Sequence, residues 1–482
     1  MSILNARDYV DSLKELSPEV YVRGERVERV WEHPLLRQTV NHAADGYEFA
    51  LDPGHKDTAL VHSPLVGRTV SRLHHHIQRE REDALVKARL TREVSGRKIC
   101  AGCMSNMLSV TWAMVHDIDQ AHDTEYFPRY REFVTELQQE GHIIAWGMMD
   151  PKGDRSLPPS RQAAPTDLRV VERRPDGIVV RGAKVHTTLG PVAHEVVAVP
   201  CRALGEEDAD YAVAFAVPID TRGIKMIARP SPGPARETNI ESPLSSRFMG
   251  VEAMTIFDDV FVPEKRVFMC GEWDQAWKLP LYFASMHRQS KCACSAGHVD
   301  LFVGAAALAA EVNGLGDMGM RVGHVRDKIT GMMMAAETAY GCAIGAATEG
   351  QAHASGVWLP EPVIANSGLN YIRSTLGTHL EHLHDIAGGL VATMPTEADW
   401  NNPELRPYIE ESLRGSSAYS TEDRLRALSL VQDLAASRLT GTILGFTINA
   451  AGSPATNAVL VRNMYDLNKR VAVAKEIAGI EP

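Results

Sequence analysis

The chain has 482 residues, 44% hydrophobic and 23% charged, with a net charge of -11 and an isoelectric point near 6. This is more than one small core accommodates, so two or three domains are expected, and the acidic balance argues against the basic footprint of a nucleic-acid binder. No consecutive apolar run reaches the roughly 18 residues of a membrane span, and the first sixteen residues carry acids and no apolar core, unlike a signal peptide. Seven cysteines, an odd number in a long chain, point to reduced thiols or metal ligands and to a cytoplasmic location, not to a disulfide framework.

In chain order, residues 5–16 read as a short amphipathic helix with Tyr9, Val10, Leu13 and Leu16 on one side. Val20 to Val27 reads as a hairpin turning at Gly24. Residues 70–140 read as helical, and His74, His75 and His76 within them as a solvated helical face, since consecutive residues on a helix point apart. Cys100 and Cys103 open an apolar segment that continues as a helix to Asp119, and their spacing places both thiols on one helical face. The texture changes near residue 142. Ile143–Met149 is strand-like and leads into the charged turn Asp150–Arg155. Strands follow at 168–172 and 178–186, joined through Pro175-Asp176-Gly177, and further ones at 195–200, 211–218, 224–228 and 254–262. After Pro280 the chain returns to helix. Segments 301–312 and 329–348 are rich in Ala, Gly and Met, which suits close helix packing or a subunit interface, and Met332–Met334 needs no cofactor to explain it. Three regions result: helical 1–141, β 142–270 and helical 271–482.

Two thiol pairs stand out. Cys292 and Cys294 lie beside His287, Arg288 and Lys291, and Cys100 pairs with Cys103 far upstream. Thiolates plus imidazole are the donor set for zinc or an iron–sulfur cluster. The alternative is that these cysteines are small buried hydrophobes.

Seven runs, in order along the whole chain, resemble 4-hydroxybutyryl-CoA dehydratase and, more distantly, the flavin-dependent 4-hydroxyphenylacetate 3-hydroxylases. They are Tyr21–Glu25, Asp150–Arg155, Gly177–Lys184, Phe257–Pro263, His287–Ser290, Asp385–Gly389 and Ala451–Pro454. The resemblance implies an α+β fold of acyl-CoA dehydrogenase type, with a helical N-domain, a β-barrel-like middle domain and a helical C-terminal bundle. It further implies a homotetramer with FAD between the β domain and the C-terminal helices. FAD contacts would come from Trp146, Asp150, Lys152, Gly153, Asp154, Arg155, Thr187, Thr188, Arg288, Gly388, Gly389 and Asn449, with Arg155 suited to the pyrophosphate. A 4Fe–4S cluster would be held by Cys100, Cys103, His287 and Cys294. His287 and Cys294 keep the family's spacing, whereas the Cys100–Cys103 pair is one residue tighter and leaves Cys292 as a substitute ligand. Lys291 replaces a family tyrosine, and Phe446 stands where a glutamate is expected. Glu252 occupies a carboxylate position of the dehydratase. Against the hydroxylase pattern, Trp146 replaces a histidine and a tyrosine is missing after Arg97.

Three functions follow from the resemblance. The first is a flavin and iron–sulfur lyase or isomerase on a small hydroxyacyl thioester, with His287, Glu252 and Lys291 as the catalytic groups. The second is a reduced-flavin aromatic monooxygenase. The third is a cluster-free divergent flavoprotein.

Overall fold

The computed structural model describes residues 5–100 and 104–480. Its strands are β1 (Glu19–Val22), β2 (Glu25–Val27), β3 (Leu60–Ser63), β4 (Arg68–Ser71), β5 (Ile144–Gly147), β6 (Arg169–Arg174), β7 (Gly177–Thr188), β8 (Glu195–Ala198), β9 (Val213–Pro218), β10 (Ile224–Ala228), β11 (Glu252–Pro263), β12 (Val267–Cys270), β13 (Gln351–Ala352) and β14 (Trp358–Leu359). Helices α1 (Ala6–Leu13), α2 (Arg37–Leu51), α3 (Lys56–Ala59), α4 (Arg81–Lys98), α5 (Met104–His122) and α6 (Tyr126–Glu140) precede β5. Helices α7 (Lys278–Val312), α8 (Gly323–Thr348), α9 (Pro362–Ala387), α10 (Glu397–Trp400), α11 (Arg406–Ser412), α12 (Thr421–Ala435), α13 (Arg438–Asn449), α14 (Pro454–Met464) and α15 (Leu467–Ala478) follow β12.

The order helical, β, helical is as expected, with two corrections. First, the middle region is not a barrel. It forms two open sheets, ordered β2-β1-β10-β11-β7-β6 and β12-β9-β8-β5. Their inner faces share one core, in which Val180, Met226 and Phe257 of one sheet meet Val196, Phe215 and Val217 of the other. Second, the N-terminal region is not all helical. The β1–β2 hairpin turns at Arg23 and Gly24, both at positive φ. Its strand β1 then joins β10 in parallel, with Glu19 opposite Lys225 and Val22 opposite Ala228. Alternating Val20 and Val22 thus enter the β core.

A second short hairpin, β3–β4, occupies part of the stretch read as helix. The histidine run follows it in a turn and is buried, not solvated: His74, His75 and His76 are 7%, 2% and 6% exposed. The His75 ring contacts the His142 carbonyl at 2.9 Å, and His76 lies 2.9 Å from Asp83. Asp83 also closes the capping box that starts α4.

The C-terminal region is organised on α7, 35 residues long, which packs against α4, α5, α8, α9 and α12. By length and composition α7 could cross a membrane, with mean hydropathy 1.5 over its best window, but 67% of that window is buried inside the protein. Counting consecutive apolar residues misses it because polar side chains interrupt the run. Helices α4 and α7 cross at Gly96 and Gly297. A Cβ on Gly297 would lie 2.2 Å from the Arg92 carbonyl oxygen, so only glycine permits this approach.

Candidate active site

The α4–α7 crossing fixes a polar seam in an apolar interior. His287, Lys291, Cys294 and His298 recur at spacings of four, three and four on α7 and so share one face. Lys291 Nζ approaches Cys294 Sγ at 3.6 Å, and the His298 ring lies 3.5 Å from the same sulfur. The Ile99 carbonyl, at the end of α4, hydrogen-bonds His298 Nε2 and lies 3.8 Å from Cys294 Sγ. The backbone of the next residue, Cys100, therefore runs beside this site. Burial alone would push the Cys294 thiol up, but Lys291, His298 and Ser95 outweigh it and bring it down to about 5.

One end of the seam is built by α4 and α5. Lys87 Nζ donates to Asn106 Oδ1 at 2.6 Å, and Ser290 Oγ reaches the same oxygen at 3.2 Å. Asn106 Nδ2 lies 3.4 Å from His287 Nδ1, and Phe283 stacks on the His287 ring at 4.6 Å. Burial, together with Lys291, Lys87, Arg288 and Arg373, holds the His287 imidazole down at about 3, which favours its neutral form. Sequence reasoning missed Lys87, Asn106 and His298. For His298 a signal was present, since it extends the spacing of the other three.

Two readings of the cysteines change. Cys292 cannot substitute as a ligand at this site, because two residues on a helix turn it away from Cys294. Its thiol donates to the Ala365 carbonyl at 3.1 Å and lies toward Cys342, and burial pushes it up. Cys100 lies in no helix: α4 ends before it, with Ile99 as its cap at φ 71. Cys103 lies outside the described residues.

The seam carries excess positive charge. Arg288 Nε donates to the Ala451 carbonyl at 2.9 Å, and Nη1 to Asn366 Oδ1. Arg373 Nε donates to the Thr447 carbonyl at 2.6 Å, while its Nη2 is buried with no partner among the described residues. Burial and mutual repulsion bring Arg288 down to about 10, and burial does the same to Arg373. Among the described residues, neither guanidinium nor Lys291 meets a carboxylate. Cys294 is the one compensating charge shown, and a buried cation without an anion costs several kcal/mol.

The remaining candidates fall into separate groups. Thr188 and Glu252 face each other across β7 and β11, and Thr188 Oγ1 donates to Glu252 Oε1 at 2.7 Å. Burial raises the Glu252 carboxyl to about 7, against the Thr188 hydrogen bond, and its Oε2 is buried without a partner among the described residues. Trp146 Nε1 on β5 is likewise buried and unpartnered. Unpaired donors and acceptors of this kind fit a ligand carrying both, as a flavin ring does. Thr187 Oγ1 is instead taken by Thr255 at 3.0 Å. Asp150 is engaged within the chain: Lys184 holds it in a buried ion pair at 2.7 Å and Cys201 donates to it at 3.1 Å, so it braces the strand ends. Asp154 is satisfied within its own exposed turn by Ser156 and Gln162. Lys152 and Gly153, both at positive φ, and exposed Arg155 form the rest of that turn.

Leu244 and Met249 pack in one core with Ala88, Ile99, Cys292 and Ala293. Glu252 follows Met249 by three residues, at most about 10 Å of extended chain, which links the strand group to the seam. Exposed Asn449, at the end of α13, adjoins the turn that Arg288 holds. Gly388 and Gly389, both left-handed, cap the opposite end of α9, about 33 Å along that helix from Asn366. A single chain does not gather these residues around one point.

Comparison with known proteins now decides the family. The models for the N-terminal and C-terminal parts of 4-hydroxyphenylacetate 3-hydroxylase match residues 5–269 and 276–479. The chain belongs to this family. Within it, the 4-hydroxybutyryl-CoA dehydratase/vinylacetyl-CoA-Delta-isomerase of Clostridium aminobutyricum is 34% identical, over 99% of this chain and 100% of that one. The structure of an archaeal 4-hydroxybutyryl-CoA dehydratase from N. maritimus superimposes with a TM-score of 0.93 at 32% identity, covering 100% of this chain and 96% of that one. The oxygenase component of 4-hydroxyphenylacetate 3-monooxygenase, solved with FAD and 4-hydroxyphenylacetate, gives 0.85 at 25% identity, covering 98% and 99%. The resemblance read from short motifs thus extends over the whole chain.

Proposed function

We propose that the protein is a flavin- and iron–sulfur-dependent dehydratase, with associated double-bond isomerase activity, acting on a small hydroxyacyl-CoA-like thioester. The observation that carries this reading is the cation-rich α7 seam around a thiolate, in a chain 34% identical over its full length to a 4-hydroxybutyryl-CoA dehydratase/vinylacetyl-CoA-Delta-isomerase. A cluster ligated by Cys100, Cys103, His287 and Cys294 fits the donor chemistry, because Cys294 is held as thiolate and His287 as neutral imidazole, the forms that bind metal. An anionic cluster also answers the surplus of buried cations. FAD fits the unpaired Trp146 Nε1 and Glu252 Oε2 together with Thr188, and the guanidinium of exposed Arg155 has the charge and donors that suit its pyrophosphate. When bound, the two groups supply electron transfer and Lewis acidity toward the substrate hydroxyl.

The chain's own residues handle protons and orientation. Glu252, raised to about 7, is matched to removing an α-proton near neutral pH. His287, held down at about 3, is too weak a base for that step and serves as ligand. Lys291 stabilises oxyanion character or protonates the departing hydroxyl. The apolar walls of Phe283 and Met286 exclude water.

A homotetramer accounts for α15, which buries no residue and exposes Leu467 and Ile477 by 63% and 83%. Cys201, Cys270, Cys292, Cys294 and Cys342 are free thiols, which supports a reducing, cytoplasmic setting.

The test is iron and acid-labile sulfide in protein purified without oxygen, with turnover of 4-hydroxybutyryl-CoA. Protein that folds, binds FAD and holds no iron would move the reading to a cluster-free flavoprotein, and hydroxylation of a phenol by the reduced-flavin form would select the monooxygenase. Unchanged FAD affinity in Arg155→Ala would remove Arg155 from the flavin site.

A further inference from the structure

Outside the seam, α5, α7 and the turn between β13 and β14 converge on one carboxylate. His116 and Asp117 are adjacent on α5, Lys278 and Tyr282 lie on the first turns of α7, and His353 and Ser355 lie in the 351–359 hairpin. The two oxygens of Asp117 are used differently. Tyr282 and Lys278 donate to Oδ2 at 2.5 and 3.0 Å. The other oxygen, Oδ1, faces two imidazole nitrogens, His116 Nδ1 at 3.4 Å and His353 Nε2 at 3.3 Å. The three candidate donor atoms lie within 4.8 Å of one another, and all three residues are half-buried.

We propose that His116, Asp117 and His353 form a binding site for one divalent transition metal ion of zinc type, separate from the α7 seam. Two imidazoles and a carboxylate are a known zinc donor set, and bond lengths near 2.0 Å in a tetrahedron put neighbouring donors about 3.3 Å apart. The two measured contacts to Oδ1 have that spacing. The surrounding groups act as ligand supports. Tyr282 fixes the carboxylate by its other oxygen, where the Lys278 ammonium competes with a cation for the charge of Asp117, and Ser355 Oγ, 2.9 Å from His353 Nδ1, holds the ring by its far nitrogen. Half-burial leaves the fourth position to water. The Ser355 N–H also lies 3.1 Å from Nδ1, so the metal-free ring carries its proton on Nε2, facing Asp117. Metal binding moves that proton to Nδ1, where it donates to Ser355 Oγ as the Ser355 N–H contact opens, and replaces the contacts of Nε2 with the Tyr282 hydroxyl, at 3.2 Å, and with Asp117 by metal–ligand bonds. The ion would lock the hairpin to α5 and α7 one turn ahead of Phe283, whose ring stacks on His287, giving it a positioning role.

The experiment titrates full-length, flavin-loaded Cys294→Ser protein with Co2+ and then Zn2+. The serine background removes the seam thiol that is held as thiolate. We expect one Co2+ per chain with a spectrum free of thiolate charge transfer, displaced by Zn2+. His353→Gln and Asp117→Asn should each weaken binding at least tenfold, and Ser355→Ala about tenfold. Because a misfolded variant also loses metal, Lys278→Met is the decisive partner: removing the ammonium beside Asp117 should tighten binding several-fold. Thiolate-only spectra, affinities indifferent to His353 and Asp117, or unchanged or weaker binding in Lys278→Met would overturn the site.

Discussion

Replacing Glu252 by Gln tests the proposed base through stability and turnover together. In the native protein burial holds the carboxyl near 7, against an ordinary value of 4.5. Below pH 4.5 the group is protonated in both native and unfolded chains. Between 4.5 and 7 the unfolded chain releases the proton while the native one keeps it, so native stability falls as pH rises, and above 7 the loss is complete. Moving the carboxyl from 4.5 to 7 corresponds to roughly 3 kcal/mol, an upper figure for a part-buried group. Glu252→Gln lacks this penalty. Its thermal midpoint should match the parent's at low pH and exceed it above neutrality, while turnover falls by about 10²–10⁴-fold. Parent turnover should rise with pH through about 7, and Thr188→Val, which removes the hydrogen bond favouring the ionised form, should move that limb to higher pH. Midpoints of parent and Glu252→Gln that stay parallel across this pH range would refute the argument, because the carboxyl would then be ordinary.

Gly297→Ala should lower stability by about 1–3 kcal/mol and loosen the site, since the new Cβ meets the Arg92 carbonyl at 2.2 Å; a thermal melt with a retained midpoint would show that α4 and α7 separate freely. Asp150→Asn should cost about 3–5 kcal/mol by stranding buried Lys184, measured by denaturant midpoint, with FAD affinity unchanged in the protein that stays folded. In metal-free protein, Lys291→Met should shift alkylation of Cys294 to higher pH, because the ammonium 3.6 Å away favours the thiolate; an unmoved profile would assign the effect to His298. Leu467→Asp with Ile477→Asp should reduce the assembly size in light scattering without altering the protomer's melt, since neither residue packs within the chain.

Most strands and long helices were legible because their signals are local: alternation in β7 to β11, and the Ala-rich periodicity of α7 to α8. What escaped was set by distant partners. The β1–β2 hairpin is visible as a hairpin, but its place in the sheet depends on pairing with β10 some 200 residues later. The histidine run reads as a helix face in the sequence because β3 and β4 are four residues each, too short for their alternation to register. On α7 the spacing of His287, Lys291 and Cys294 was readable, whereas Lys87 and Asn106 look like ordinary helix residues until α4 and α5 are packed. Asp150 was read with its neighbours as a ligand turn because nothing local reveals Lys184 as its partner.

The charges on α7 tie these observations together. A helix of membrane-like hydropathy that carries Arg288 and Lys291 at its buried centre is poorly designed for stability alone, since apolar residues of similar volume would pack there at less cost. Arg288 and Arg373 are held by backbone carbonyls and amides, which orient a guanidinium without neutralising it. The protein therefore leaves several positive charges aimed at one interior region, with a single thiolate among them. Such an arrangement is stabilised in the folded chain when a group of net negative charge completes it, and a 4Fe–4S centre held by three thiolates and a neutral imidazole would carry such a charge. This predicts that protein stripped of bound groups melts well below the loaded protein, with anions added to the stripped form recovering part of the difference. Stripped protein with an unchanged midpoint would mean that solvent already screens these cations, and the electrostatic case for the cluster would fall with it.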